Sequence, residues 1–201
     1  MGKLILVRHG ESTGNRERIF TMMPVELPLT DLGREQAREA GATIRRLFRP
    51  ERVITSPYVR ANDTGKIIAS ILGLPVEIED RLHERDVGSF KGRPYESMME
   101  DPAYDPMRPW LWCPPDGESF EDVKGRCGPV LDRLAKTHAD REIVVVSHGG
   151  VMMALWAHVT GSWEKAHVPP NCGIVVVEHQ FPSYHPPVVI GDVASADSTG
   201  G

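Results

Sequence analysis

Cysteine is scarce. The chain has 201 residues and three cysteines, Cys113, Cys127 and Cys172, with no CxxC pair among them. So few thiols at such wide spacing exclude a disulfide framework and fit a reducing compartment, so the cytoplasm is the expected location. Long hydrophobic runs are also missing. No window of about 18 apolar residues occurs, and no charged-then-apolar leader precedes the first strand-like residues, so neither a membrane span nor a signal segment is expected. Charge of one sign is lacking too. The 23 Lys and Arg stand against 28 Asp and Glu, a net charge of −5, and the one sizeable basic cluster, RRLFRPER, is broken by apolar residues. A nucleic-acid or anionic-membrane partner is therefore not expected. His83, His138, His158, His167, His179 and His185 show no HxxxH spacing, and no GxxxxGK is present. Neither a zinc site nor a nucleotide P-loop follows, and no metal or cofactor is expected.

What remains is ordinary for a globular enzyme-sized chain: 40% hydrophobic and 25% charged residues. That length suffices for one α/β domain, read here as 1–194, with a small cap at most. Residues 85–117 are rich in Pro, Tyr and Trp with weak periodicity, and read as an excursion out of the core. Residues 195–201 are small and polar and read as a disordered tail.

Along the domain, apolar runs alternate with amphipathic stretches. KLILV, RVITS, PVEIE, REIVVVS, GIVVVEH and PVVIGDV read as strands. TDLGREQAREAGATIRRLF predicts a helix capped at Thr30 or Asp31, with Leu32, Ala37, Ala40, Ile44 and Leu47 on its buried face. PYVRANDTGKIIASILG predicts a second helix, with Pro57 in its first turn and Gly73 near its end. SFEDVKGRCGPVLDRLAKTH predicts a third, bent or starting late near Pro129. VMMALWAHVTG predicts a fourth, in which Met152, Met153 and Trp156 fit a core face. No internal repeat is found. Strands alternating with helices imply a largely parallel sheet covered on both faces.

Three of these strands end in polar residues that do not belong in a core. The first ends in Arg8 and His9. The second ends in Ser56, with Arg60 in the next helical turn. The fourth ends in Ser147 and His148, followed by Gly149 and Gly150 at a helix start. Each alone reads as a turn, a helix entry or a surface ion pair. Together, at the carboxyl ends of strands where α/β sheets bind ligands, two arginines, two histidines and a helix N-terminus describe a phosphate site.

The motifs LVRHGES, SPYVRANDT (56–64), LHERDVGSFKG (82–92), DGES (116–119) and VVSHGG (145–150) resemble the histidine phosphatase, or phosphoglycerate mutase-like, superfamily in order and spacing. The resemblance implies a three-layer α/β/α sandwich with a mixed, mostly parallel central sheet. It implies that His9 is a nucleophile taking up the phosphoryl group and that Arg8, Arg60 and His148 hold the phosphate oxygens. Glu84 then matches the acid that protonates the leaving group, while Asn15 and the Gly149 backbone add phosphate contacts. Asp86 is the rival acid, and an ion pair of Glu84 with Arg81 or Arg85 is the structural alternative.

The family's mutases carry a longer basic insertion after the Glu motif and an extended C-terminal segment. Here the excursion is short and its four basic residues face six acidic ones, which favours a metal-independent phosphomonoesterase acting on a small phosphorylated substrate. Phosphoglycerate mutase is the alternative, and a non-catalytic phosphate-binding or phosphoprotein-binding domain a more distant one. Arg18, Phe20, Met22, Trp110 and Trp112 are the candidates for the specificity wall. The two tryptophans serve equally as anchors of the excursion or as cover for a homodimer interface.

Overall fold

The computed structural model describes residues 1–20 and 27–191. Strand β1 (Gly2–Arg8) alternates buried residues to both sides: Leu4 and Leu6 face one helical layer, Ile5 and Val7 the other. A strand apolar on both faces must be internal to a covered sheet. It pairs in parallel with β4 (Glu142–Ser147), and β4 with β2 (Arg52–Thr55), which carries β3 (Val76–Ile78) at one edge. On its other side β1 pairs antiparallel with β5 (Ile174–Gln180), which in turn carries the short β6 (Ser183–Tyr184) and β7 (Val188–Ile190). The order β3-β2-β4-β1-β5-β6 is a mixed sheet whose inner half is parallel.

Two helices cover each face. A five-residue helix, α1 (Thr13–Glu17), follows β1, closed by a Ser12–Asn15 capping box. Then α2 (Asp31–Leu47) and α3 (Val59–Leu72) pack on Ile5, Val7, Val53, Val144 and Val146. On the opposite side α4 (Phe120–Thr137) and α5 (Gly149–Thr160) pack on Leu4, Leu6, Ile143 and Val145. The result is a three-layer α/β/α sandwich. Among the described residues no helix is long and apolar enough to cross a membrane.

Three local expectations are corrected. Leu32 and Leu47 do not lie on the buried face of α2; they are 55% and 43% exposed. The other three expected residues, Ala37, Ala40 and Ile44, are buried, beside Gly33 and Gly41. Gly33 is needed because a Cβ there would sit 2.0 Å from the Glu11 carbonyl oxygen, so it is bare backbone that brings α2 against the loop after β1. Pro57 lies before α3, which starts at Val59 with Tyr58 as its cap. Finally, α4 runs unbroken through Pro129. Its capping box at Ser119 and a fully buried stripe of Val123, Cys127, Val130, Leu131 and Leu134 hold it, since tertiary burial outweighs propensity.

Residues 85–117 leave the sandwich as a chain of short 3-10 turns at Gly88–Phe90, Tyr95–Glu100 and Pro109–Leu111. They gather a small cluster of their own, Val87, Phe90 and Trp112, against which Phe20, Met98 and Tyr104 pack. The expected tail at 195–201 lies outside the described residues.

Candidate active site

Register places the reactive groups. β2, β4 and β1 are neighbours, and their carboxyl ends are level: Arg8 pairs with Ser147, the His9 N–H donates to the Ser147 carbonyl at 2.9 Å, and the Ser56 N–H donates to the Val146 carbonyl at 3.0 Å. Ser56, His148 and His9 therefore emerge side by side from three adjacent strands. The His9 and His148 rings lie edge to face, with centroids 5.2 Å apart.

His9 is 2% exposed. Its Nδ1 lies 2.7 Å from the Gly10 carbonyl oxygen, which can only accept, so Nδ1 carries the proton. Nε2 then holds the lone pair and accepts from Arg60 Nε at 3.1 Å. Burial holds the His9 pKa well below the usual imidazole value, with the Arg60 and Arg8 charges adding to the effect. The neutral, nucleophilic form is thus the resting one. His148 is the mirror case. The Ser56 hydroxyl oxygen accepts from the Tyr58 N–H at 3.3 Å, leaving its proton for His148 Nε2 at 2.7 Å. With Ser56 donating to Nε2 the His148 proton sits on Nδ1, which is buried and has no hydrogen-bond partner among the described residues. Burial, then Arg60 and His9, also lower the His148 pKa well below its usual value.

Arg60 is 4% exposed, and its carbonyl accepts from Thr64 Oγ1 at 2.7 Å, while Thr64 Oγ1 accepts the Gly10 N–H at 3.0 Å. Its surface ion-pair reading falls away. Arg8 donates from one Nη to the Pro169 carbonyl at 2.9 Å, and its Nε is a second buried donor lacking a partner among the described residues. Glu84 is not paired with a neighbouring guanidinium. Its Oε1 accepts the Arg85 backbone N–H at 2.8 Å and its Oε2 the Gly150 N–H at 3.3 Å. The loop that carries it is braced by Arg126, which donates to the Arg81 and Glu84 carbonyls and pairs with Glu118 at 2.7 Å, and by Ser147 Oγ, which donates to the Leu82 carbonyl. Asp86 points elsewhere, to Lys91.

Arg8, His9, Asn15, Arg60 and Glu84 line one cavity of about 60 Å³. A second, of about 240 Å³, shares Arg8, Glu84 and Tyr95 with it and adds Gly149, Gly150 and mostly apolar side chains. A wider hollow of about 870 Å³ beside α2, β5 and β7 contains none of the groups that meet at the strand ends. Of the specificity candidates, Phe20 lines the second cavity. Arg18 is exposed and paired with Glu96. Trp110 lines neither cavity. Trp112 is buried within the excursion, its indole N–H on Asp101 at 2.9 Å. Met22 lies outside the described residues.

Residue patterning does not single out Tyr95, whose hydroxyl accepts from Asn15 Nδ2 at 3.3 Å, or Asn171, whose amide donates to the His9 carbonyl and to Asn15 Oδ1 at 3.0 and 3.1 Å. Both fix the walls of the small cavity.

Two imidazoles buried in neutral form carry a stability consequence. Above pH 6.5 neither the folded nor the unfolded chain protonates them. Below it the unfolded chain binds protons that the folded chain refuses, so stability falls as pH falls. Urea denaturation between pH 7 and 5.5 should show a loss to which these two rings contribute up to about 2.7 kcal/mol per pH unit at the acid end, twice the single-group limit of about 1.36, with His138 and His179, whose pKa values burial also lowers, adding to it. A flat profile would mean the two rings take up protons freely in the fold.

A family model described as histidine phosphatase superfamily (branch 1) matches residues 4–184. The chain is 31% identical to phosphoglycerate mutase-like protein 4 of Arabidopsis thaliana, over 98% of this chain and 88% of that protein. It is 34% identical to a metal-independent phosphoserine phosphatase of the same plant, over 79% of this chain and 68% of that one. Among solved structures, Bacillus stearothermophilus YhfR superposes with a TM-score of 0.84 at 26% identity, covering 95% of this chain and 97% of that chain.

Proposed function

The chain belongs to the histidine phosphatase superfamily, and from that premise we propose that it is a metal-independent phosphomonoesterase working through a phosphohistidine on His9. The observation that carries this reading is the state of His9. Its Nδ1 proton is anchored on Gly10, and its Nε2 lone pair, which accepts from Arg60 Nε, belongs to a ring that lines one cavity with Arg8, Arg60 and Glu84.

In this reading the phosphate dianion is held by Arg8, Arg60 and Asn15, which line the small cavity, while Gly149 lines only the second cavity and His148, fully buried beside His9, lines neither. Charge-assisted, partly bidentate contacts of this kind are the strong ones, and arginine keeps its charge throughout. His9 Nε2 attacks phosphorus as the bond to the ester oxygen breaks, and Glu84 gives that oxygen its proton. The positive charge on the phosphorylated ring is shared with the Gly10 carbonyl through Nδ1–H. Water then attacks phosphorus, Glu84 takes back a proton, and phosphate leaves His9 as it began. Positioning and charge stabilisation supply most of the rate, as in phosphoryl transfer generally.

A mutase must grip a carboxylate in two orientations. Three of the four cations of the excursion are paired with acids instead, Lys91 with Asp86, Arg93 with Glu100 and Arg108 with Asp105, while Arg85 donates to the Glu118 and Trp112 carbonyls. That favours hydrolysis. Rapid quenching of the protein with a radiolabelled phosphomonoester should trap one acid-labile, alkali-stable label on the peptide carrying His9, and 3-phosphoglycerate should give free phosphate rather than its 2-isomer. Turnover without such a label, or with the label on a serine, would refute the mechanism.

A further inference from the structure

Resting on the phosphatase reading, we infer that the ester this site prefers has a small, uncharged, apolar leaving group: a short branched alkyl or single-ring aryl alcohol. The second cavity meets the phosphate cavity at Arg8, Glu84 and Tyr95, so the ester oxygen protonated by Glu84 leads directly into it. Beyond Arg85 and the backbone of Gly149 and Gly150, its remaining wall is apolar, made by Phe20, Val87, Phe120, Met153 and Val168. A sugar or a carboxylate entering there would shed water and find few replacement partners. Its volume of about 240 Å³ falls below the roughly 300 Å³ at which pockets for drug-sized ligands begin, which sets the size limit.

The cations near the cavity do not alter this. Arg85 reaches its wall, but gives Nε to the Glu118 carbonyl at 2.8 Å and Nη2 to the Trp112 carbonyl at 2.7 Å, and lies 4.1 Å above the Phe120 ring. Burial lowers its pKa to about 10, which still leaves it charged at neutral pH, and those two carbonyl bonds and the Phe120 ring hold it in the wall. Arg18 and Arg93 are tied to Glu96 and Glu100, and Arg126 to Glu118. Arg8 serves the phosphate. Among the described residues no further basic side chain lines the cavity.

The test is a series of monoesters with similar leaving-group acidity: ethyl, butyl and 3-methylbutyl phosphate, set beside 3-phosphoglycerate, phosphoserine and phenyl phosphate. The kcat/KM values should climb about fourfold per methylene added, the equivalent of about 0.8 kcal/mol each. 3-Methylbutyl phosphate should exceed both carboxylate esters by about tenfold or more. Val168 is 41% exposed at the rim, so Val168→Lys should fold, and should shift the ratio of 3-methylbutyl phosphate to 3-phosphoglycerate about tenfold toward the carboxylate. A flat alkyl series, a carboxylate ester turned over best, or an unchanged ratio in Val168→Lys each overturns the inference and leaves the phosphatase standing. No phosphate release from any ester, phenyl phosphate included, overturns both.

Discussion

His9→Ala should lower kcat for every phosphomonoester by about 10⁵-fold or more, the scale seen when a covalent nucleophile is removed. Inorganic phosphate should still bind, because Arg8, Arg60 and Asn15 remain and His9 contributes a lone pair rather than a donor to the site. Titration with phosphate, followed by calorimetry, separates the two effects. Retained turnover within about a hundredfold of wild type would remove His9 from the chemistry, and loss of phosphate binding along with turnover would point to a collapsed site. The pH profile of the wild-type protein gives a linked expectation. Protonation of Nε2 blocks attack, and burial together with Arg60 and Arg8 holds the His9 pKa well below 6.5. The acid limb of kcat/KM assigned to the enzyme must therefore lie below 6.5. A limb at 6.5 that disappears in an Arg60→Met variant would contradict this.

The meeting of Arg8, His9, Arg60 and His148 was legible because each follows an apolar strand whose burial is certain, and polar groups placed there demand a ligand or a partner. Parallel β-register does the rest, converting three sequence positions 50 to 140 residues apart into one sheet edge. Asn171 had no such marker. It lies 162 residues from His9, in a Pro-rich loop without periodicity, and only the approach of β5 to β1 brings it over the His9 carbonyl. Tyr95 was hidden for the same reason, inside an excursion where hydrophobic patterning is weak. Trp112 was open between a binding wall, an anchor and an interface, and it serves as the anchor. It is the centre of the excursion's own small cluster with its N–H satisfied by Asp101. Along α2 the middle of the face, Ala37, Ala40 and Ile44, was readable, but its ends were not, because close contacts of that helix are made by glycine, which an apolar stripe does not count.

Glu84→Gln should separate donation of a proton from mere support of the loop. The side chain lines both cavities where they join, held by the N–H groups of Arg85 and Gly150. The amide keeps the shape and cannot give up a proton in the same way. For an alkyl phosphate, whose alkoxide is a poor leaving group, kcat/KM should fall by about 10² to 10⁴, the usual range for a general acid. For 4-nitrophenyl phosphate, whose leaving group departs without protonation, kcat/KM should stay within about tenfold of wild type. Its kcat should still drop, because hydrolysis of the phosphohistidine needs Glu84 as base toward water. Stopped-flow traces should accordingly show a burst of one nitrophenolate per site followed by slow turnover, with labelled phosphate accumulating on His9. Equal losses for both esters and no burst would make Glu84 a brace for its loop. Undiminished turnover would remove it from the mechanism and leave the proton to another group.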